Sequence, residues 1–455
     1  MNYISTRNNG KKVSFEHVFL KGLSEDGGLF IPHNLKRFDQ SELNELSKLD
    51  YKSLAFNIIK LFTGDFIEEQ DLKKLINKSY SNFRDDNVVK INKINENYLL
   101  ELYHGPTLAF KDIAMQLIGN LYEYYLQKNN KKINIIVATS GDTGAAAIDA
   151  IKGKKNINIF VLHPNNRISS VQRKLMTTVD DKNVFNLAIN GNFDDCQNLV
   201  KSMFSDSEFS SSINMSGVNS INWARIIAQT IYYFYSYFQI GKEKISFSVP
   251  TGNFGDVYAG YVAKQMGLPV DKFIVATNQN DILHRAISNG DYKSKKVEET
   301  ISPSMDIQVA SNFERLLYEL YGKNSEKIKN IMGSIKDNSF RIEHEVLVEL
   351  QKNFLSECLK EIEILNIIKD FYEKNNIVID PHTAIGIGAV KKLNLKEVVV
   401  LATAHPCKFP IAIERAISKT EKLPDNLIYV NNKEEKFDVI PNDLEKIKNY
   451  VLNSL

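Results

Sequence analysis

The sequence predicts an α/β protein built on parallel sheets, and three observations carry that reading. Short β-branched runs at 133–138, 157–162 and 184–189 are spaced by helical stretches. A further run at 244–249 leads through Pro250-Thr251-Gly252-Asn253-Phe254-Gly255-Asp256 into a helical pattern at 257–266. Two more, at 273–277 and 397–401, recur in the same rhythm of strand, loop and helix. In such sheets ligands sit beyond the carboxyl ends of the strands, so the loops that follow these runs are where chemistry is expected.

The chain has 455 residues, of which 43% are hydrophobic and 25% charged, enough for roughly three domains and a large core. Its net charge of +2 comes from interspersed acids and bases, without the basic stripe of a nucleic-acid binder. Cys196, Cys358 and Cys407 are odd in number, far apart and outside any C-x-x-C pair, which argues against a disulfide framework and a thiolate metal site. His344-Glu345 lacks the second histidine of a zinc helix, so no metal site is expected. No stretch resembles a signal peptide or the ~18 uncharged apolar residues of a membrane span. The expectation is a soluble, cytoplasmic protein that handles small molecules, with no nucleic-acid or membrane partner.

Taken in order, residues 1–95 read as an N-terminal domain with a short helix near 13–20, a glycine turn at Gly27-Gly28, and helices at 51–62 and 69–82 spaced by three and four. Arg7 and His17 read as ordinary surface side chains. Residues 96–215 form a smaller α/β domain and 216–455 a larger one. Near the head of the smaller domain, Lys111 in Leu108-Ala109-Phe110-Lys111-Asp112 precedes the apolar run Ile113-Ala114-Met115. It is either a salt-bridged surface residue or an amine in a dry pocket, where burial penalises its charge and makes it a nucleophile able to form a Schiff base. Thr139-Ser140-Gly141-Asp142-Thr143-Gly144 follows the strand at 133–138; it is either a plain N-capped turn or a loop whose glycines, hydroxyls and amides hold an anion.

The aromatic helix at 221–238 reads as core, except that Arg225 near its start is suited either to a phosphate or to an exposed ion pair. The loop at 252–256 lacks the Lys-Ser/Thr of a nucleotide loop and the first glycine of a dinucleotide loop. It still offers a cup of N–H donors to one phosphate monoester, and a phosphate without a nucleotide is what pyridoxal phosphate (PLP) presents. Residues 290–310 are loop-like, and broken helical patterns run through 312–321, 324–335 and 344–374. Asp380-Pro381 starts another helix, as cap and first residue. The strand at 397–401 ends in Ala402-Thr403-Ala404-His405-Pro406-Cys407-Lys408-Phe409, and the last thirty or so residues are charged and read as peripheral.

The order and content of the loops at 105–112, 139–144, 252–256 and 402–408 resemble the threonine synthase family, PLP enzymes of the tryptophan-synthase-β fold group, in its longer bacterial and fungal form. The likeness runs from Tyr3-Ile4-Ser5-Thr6-Arg7 to His405-Pro406-Cys407-Lys408-Phe409. It implies PLP fold type II, two parallel or mixed-sheet α/β domains with the cofactor between them and an N-terminal extension, acting as a monomer or weak homodimer. It implies that Lys111 is the Schiff-base lysine, that Gly252, Asn253, Phe254, Gly255 and Asp256 hold the cofactor phosphate, and that Thr403 faces the pyridine nitrogen. The implied substrate is O-phospho-L-homoserine, converted with water to L-threonine and phosphate, with Thr139, Ser140, Thr143, Arg225 and Lys408 as candidates for its anionic groups. Ala228 and Cys407 stand where small or proline residues are expected in many relatives. The alternatives are another lyase or dehydratase of the same fold, acting on a hydroxy or phospho amino acid, and a non-catalytic ligand-binding homologue.

Overall fold

The structure, a computed structural model, describes residues 1–218, 220–336 and 340–455. Contacts divide the chain into two compact units, one of Met1–His104 with Ser220–Thr420 and one of Gly105–Asn219 with Glu421–Leu455. This grouping differs from the expected division at the N-terminal segment, at residues 96–104, which join the first unit and not the smaller domain, and at the C-terminal tail.

The first unit is built on a six-stranded sheet in the order Phe354–Cys358, Val270–Thr277, Ile245–Pro250, Val398–Ala402, Asn97–Glu101, Lys90–Ile94. Every neighbouring pair is parallel except the last, which is an antiparallel hairpin. Ser248 lies in register with Ile274 on one side and Val400 on the other. The helix Pro381–Lys392 covers this region: Gly386 packs so closely that an added Cβ would come within 2.9 Å of Val400 and 3.3 Å of Pro250. A short connection carries it into Val398–Ala402, so it runs antiparallel to the strands and starts at their carboxyl ends. The aromatic helix Trp223–Ile240 is core as expected, with Tyr233 edge-on to Phe247 at 4.8 Å.

Residues 1–95 group with this unit because their contacts are made there. Tyr3–Ser5 pairs antiparallel with Asn8–Val13 and Phe30–Pro32, and Tyr3 packs edge-on against Trp223. Arg7 is not an ordinary surface residue. Its guanidinium forks onto Glu314, with Nε to Oε1 at 3.0 Å and Nη2 to Oε2 at 2.7 Å, the bidentate geometry that sequence spacing cannot reveal across 307 positions. The strand Phe354–Cys358, read as part of a broken helix, is an edge strand whose partner is Val270–Thr277.

The second unit holds a five-stranded, wholly parallel sheet in the order Asp438–Pro441, Val184–Asn190, Ile157–Pro164, Ile133–Ala138, Met215–Ser216. The helix Phe193–Ser205 sends Cys196 and Met203 into its core beside Phe160 and Leu187. The tail is structural, contrary to its charged appearance. Asp438–Pro441 adds a parallel strand beside Val184–Asn190, and the helix Leu444–Asn453 buries Ile447 and Val451 in the same core. Among the described residues no helix is long and apolar enough to cross a membrane.

Candidate active site

In the second unit the chemistry gathers around Lys111, the first residue of the helix Lys111–Lys128. The loop before it is fixed by Asp112, whose Oδ2 accepts from the Thr107 amide at 2.8 Å and whose Oδ1 accepts from the Thr107 hydroxyl at 2.6 Å. Gly105 is required there, since an added Cβ would meet the Asp112 side chain at 2.4 Å. Leu108 takes a left-handed φ of 65°, uncommon for a residue with a branched side chain and a mark of a constrained loop. The result is a lysine only 9% exposed, with Nζ 3.6 Å from Asp142 Oδ2 and 5.1 Å from the centroid of Phe110.

Asp142 opens the helix Asp142–Ile151, and its Oδ1 accepts from Gln172 Nε2 at 2.8 Å, which aims its other oxygen at the amine. Within the same loop Thr139 Oγ1 accepts from the amides of Gly141 and Gly144 at 3.0 and 2.9 Å, so this oxygen braces the turn. Ser140 and Thr143 are half-buried. Sequence reasoning placed the loop but did not single out Asp142, although its place at a helix start within that motif was visible.

In the first unit the strand Ile245–Pro250 ends in the 252–256 loop, which opens the helix Gly255–Gln265. The cap residue, Phe254, is left-handed at φ 62° and provides no side-chain hydrogen bond to the helix. Its ring is buried edge-on against Phe313 at 5.1 Å, which offsets the conformational cost of about 1–3 kcal/mol. The first amides of a helix have no partner within it, and with no side-chain cap they suit an outside anion. Gly252 lets the loop lie against the 303–305 turn: an added Cβ would fall 2.5 Å from the Ser304 carbonyl. Asp256 Oδ1 accepts from the hydroxyls of Tyr232 and Tyr233 at 2.5 and 2.9 Å. A glycine-walled, uncapped helix start of this kind fits the phosphate of PLP.

Arg225 lies in the first turn of Trp223–Ile240, behind the cap Asn222, and is 4% exposed. Its Nε has no hydrogen-bond partner among the described residues. Burial pushes its pKa down to about 10, opposed by the nearby Tyr232 and the Asp256 carboxylate, so Arg225 belongs electrostatically with the 252–256 loop. Thr403 follows the strand Val398–Ala402 directly and is buried, as is Lys408 in the turn Pro406–Lys408. That strand neighbours Ile245–Pro250, so both segments leave the same carboxyl edge of the sheet. His405 caps the turn by accepting from the Cys407 amide at 3.3 Å, and burial beside Arg84 pushes its pKa down to about 3.

Three family models match the chain: "Threonine synthase N terminus" over residues 2–80, "Pyridoxal-phosphate dependent enzyme" over 86–334, and "Threonine synthase, C-terminal" over 383–451. The threonine synthase of Pseudomonas aeruginosa is 44% identical over 459 residues, covering 99% of this chain and 98% of its own. That of Saccharomyces cerevisiae is 44% identical over 502 residues, covering 100% and 98%. Among solved structures, PLP-bound threonine synthase from Brucella melitensis superposes with a TM-score of 0.96 at 42% identity, covering 100% of this chain and 99% of its own.

Proposed function

We propose, from the premise that this chain belongs to the threonine synthase family of pyridoxal-phosphate-dependent enzymes, that it converts O-phospho-L-homoserine and water into L-threonine and phosphate. The observation that carries the reading at the level of atoms is the buried Lys111 amine with the Asp142 carboxylate 3.6 Å away. When bound, PLP supplies an aldehyde that takes up an amino group and a ring that draws electrons from the adjoining carbon. Lys111 would hold the aldehyde carbon at rest, and the amides of the 252–256 loop would hold the phosphate. Thr403 would meet the ring nitrogen with an uncharged hydroxyl.

The Lys111 amine, when not holding the cofactor, would serve as base at the substrate's Cα and carry protons at Cβ. Asp142 holds that amine in place and balances its charge whenever it is protonated. Thr139, Ser140, Thr143, Arg225 and Lys408 would bind the substrate's carboxylate and phosphate, orienting the C–O bond that breaks at Cγ. Water's oxygen ends on Cβ and phosphate departs with all of its own oxygens, so the atoms balance. The chain would act in the cytoplasm as a monomer or weak dimer.

A coupled assay tests the reading: phosphohomoserine should yield inorganic phosphate and threonine in equal amounts. A dehydratase of the same fold would instead give ammonia and a keto acid from serine or threonine. A ligand-binding homologue would give neither.

A further inference from the structure

The helix Pro381–Lys392 begins with an arrangement that the mechanism above does not use. Asp380, fully buried, caps it: Oδ1 accepts from the His382 amide at 2.9 Å, and Oδ2 accepts from the Thr383 amide at 3.3 Å and from the Thr383 hydroxyl. The same Oδ1 faces His382 Nδ1 at 2.9 Å. An ionised carboxylate only accepts, so Nδ1 carries the proton of that contact and the orientation of the ring is fixed. The other nitrogen, Nε2, is buried and has no hydrogen-bond partner among the described residues. Buried polar atoms are rarely left this way in proteins, because each unmade hydrogen bond is costly.

The ring's place is the carboxyl end of the six-stranded sheet. Gly386, one turn further along the helix, packs on Pro250 and Val400, so His382 lies beyond them, on the side where the chain continues into Gly252 and Thr403. Its ring lies 4.9 Å from that of Phe409, in the segment that follows Thr403. Asp306, whose carboxyl pKa burial raises and nearby His382 helps to lower, is next in sequence to Met305, against which Gly252 packs. The Asp306 carboxylate is already taken up by the Thr300 amide and hydroxyl at 2.8 and 2.7 Å and by Asn278 and Asn280 at 2.7 and 3.1 Å. Of the acidic groups near the ring, Asp380 is bonded to it and Asp306 is satisfied elsewhere.

We propose that His382, oriented by Asp380, is a ligand-binding residue whose Nε2 donates to an anionic oxygen of the molecule bound at this sheet end. The proposal rests on the functional reading above and adds a residue to it. With Nδ1–H given to Asp380, donation from Nε2 calls for a second proton on the ring, and the carboxylate behind it would balance the charge which that proton brings. Two sources offer such an oxygen: the cofactor, through its phosphate or ring oxygen, and the substrate, through its carboxylate or phosphate.

The test uses the full chain stripped of cofactor and reloaded. Pyridoxal phosphate affinity is read by absorbance titration, and KM and kcat for phosphohomoserine are read on the loaded enzyme. His382→Phe keeps the ring and its contact with Phe409 but removes Nε2, whereas His382→Gln places an amide nitrogen close to the Nε2 position. His382→Phe should weaken either cofactor affinity or KM at least tenfold, and His382→Gln should restore most of that loss. A loss in the cofactor titration assigns the oxygen to the cofactor, and a rise in KM with unchanged cofactor affinity assigns it to the substrate. Both constants within twofold of wild type in His382→Phe, or a loss that His382→Gln does not rescue, overturns the proposal. If His382→Phe fails to fold, 15N-histidine spectra of the wild type decide: the His382 Nε2 resonance must move on adding pyridoxal phosphate or phosphohomoserine, and a stationary resonance overturns the inference. A wild-type chain that neither binds pyridoxal phosphate nor releases phosphate would contradict the functional reading itself, a failure distinct from that of His382.

Discussion

Lys111 shows what a single residue can and cannot disclose. Its neighbours in sequence left two environments open, and the fold selects the buried one, with a carboxylate at 3.6 Å that arrives from position 142. No local pattern contains that pairing, because it depends on the starts of two helices, Lys111–Lys128 and Asp142–Ile151, meeting in the fold. Lys111→Ala should lower turnover by about 10²–10⁴-fold, the scale of a lost general base, while the thermal transition persists. Borohydride reduction of the loaded wild type followed by peptide mapping should place the label on Lys111, and a label elsewhere refutes its role. Thr403 is a subtler case, since a hydroxyl leaves a ring nitrogen neutral where a carboxylate would hold it protonated. Thr403→Asp should change the cofactor's absorbance on adding substrate and slow turnover, and Thr403→Val should weaken cofactor binding by about 1 kcal/mol. Wild-type spectra, affinity and rate in both variants would remove Thr403 from the ring.

At the scale of elements the sequence was most informative where strand, loop and helix follow one another within about twenty residues. The strand Ile133–Ala138 and the cap at Asp380 are found where the pattern put them. Phe354–Cys358 and Asp438–Pro441 were missed because five or four residues at a sheet edge carry no decisive period, and only their partners, far away in sequence, make them strands. The 252–256 loop was legible by its glycines, but the reason Gly252 is needed was not. That reason is the Ser304 carbonyl, 2.5 Å from where a Cβ would lie. Gly252→Ala should displace the loop or the 303–305 turn at a cost of about 1–3 kcal/mol, and calorimetry should show lower stability together with weaker pyridoxal phosphate binding. Wild-type stability and affinity would mean that the loop adjusts freely and that its shape does not define the site.

At the scale of the whole molecule, each unit carries a histidine whose charge the fold opposes: the half-buried His405 in the first and the buried His163 in the second, the latter with its pKa pushed down to about 4 by burial, with Arg173 adding to the effect. Unfolded, a histidine titrates near about 6.5. Below that pH the unfolded chain takes up a proton that His163 refuses in the fold, so stability falls from about pH 6.5 to about pH 4, by up to about 1.4 kcal/mol per pH unit for one group. Urea midpoints measured at pH 7 and pH 5 should differ in that direction, and His163→Leu should reduce the difference. An unchanged difference would mean that other groups set the acid sensitivity. The membership of the two units was the least legible feature, because the tail that joins the second unit and the N-terminal segment that joins the first are bound to them by contacts hundreds of positions away.

The most direct test of the central claim is to run the reaction on phosphohomoserine in 18O-labelled water and to weigh both products. Cleavage at the Cγ–O bond with water adding at Cβ predicts one 18O in threonine and none in the released phosphate. Label in the phosphate with homoserine as the other product, or no turnover by the cofactor-loaded chain, would contradict it.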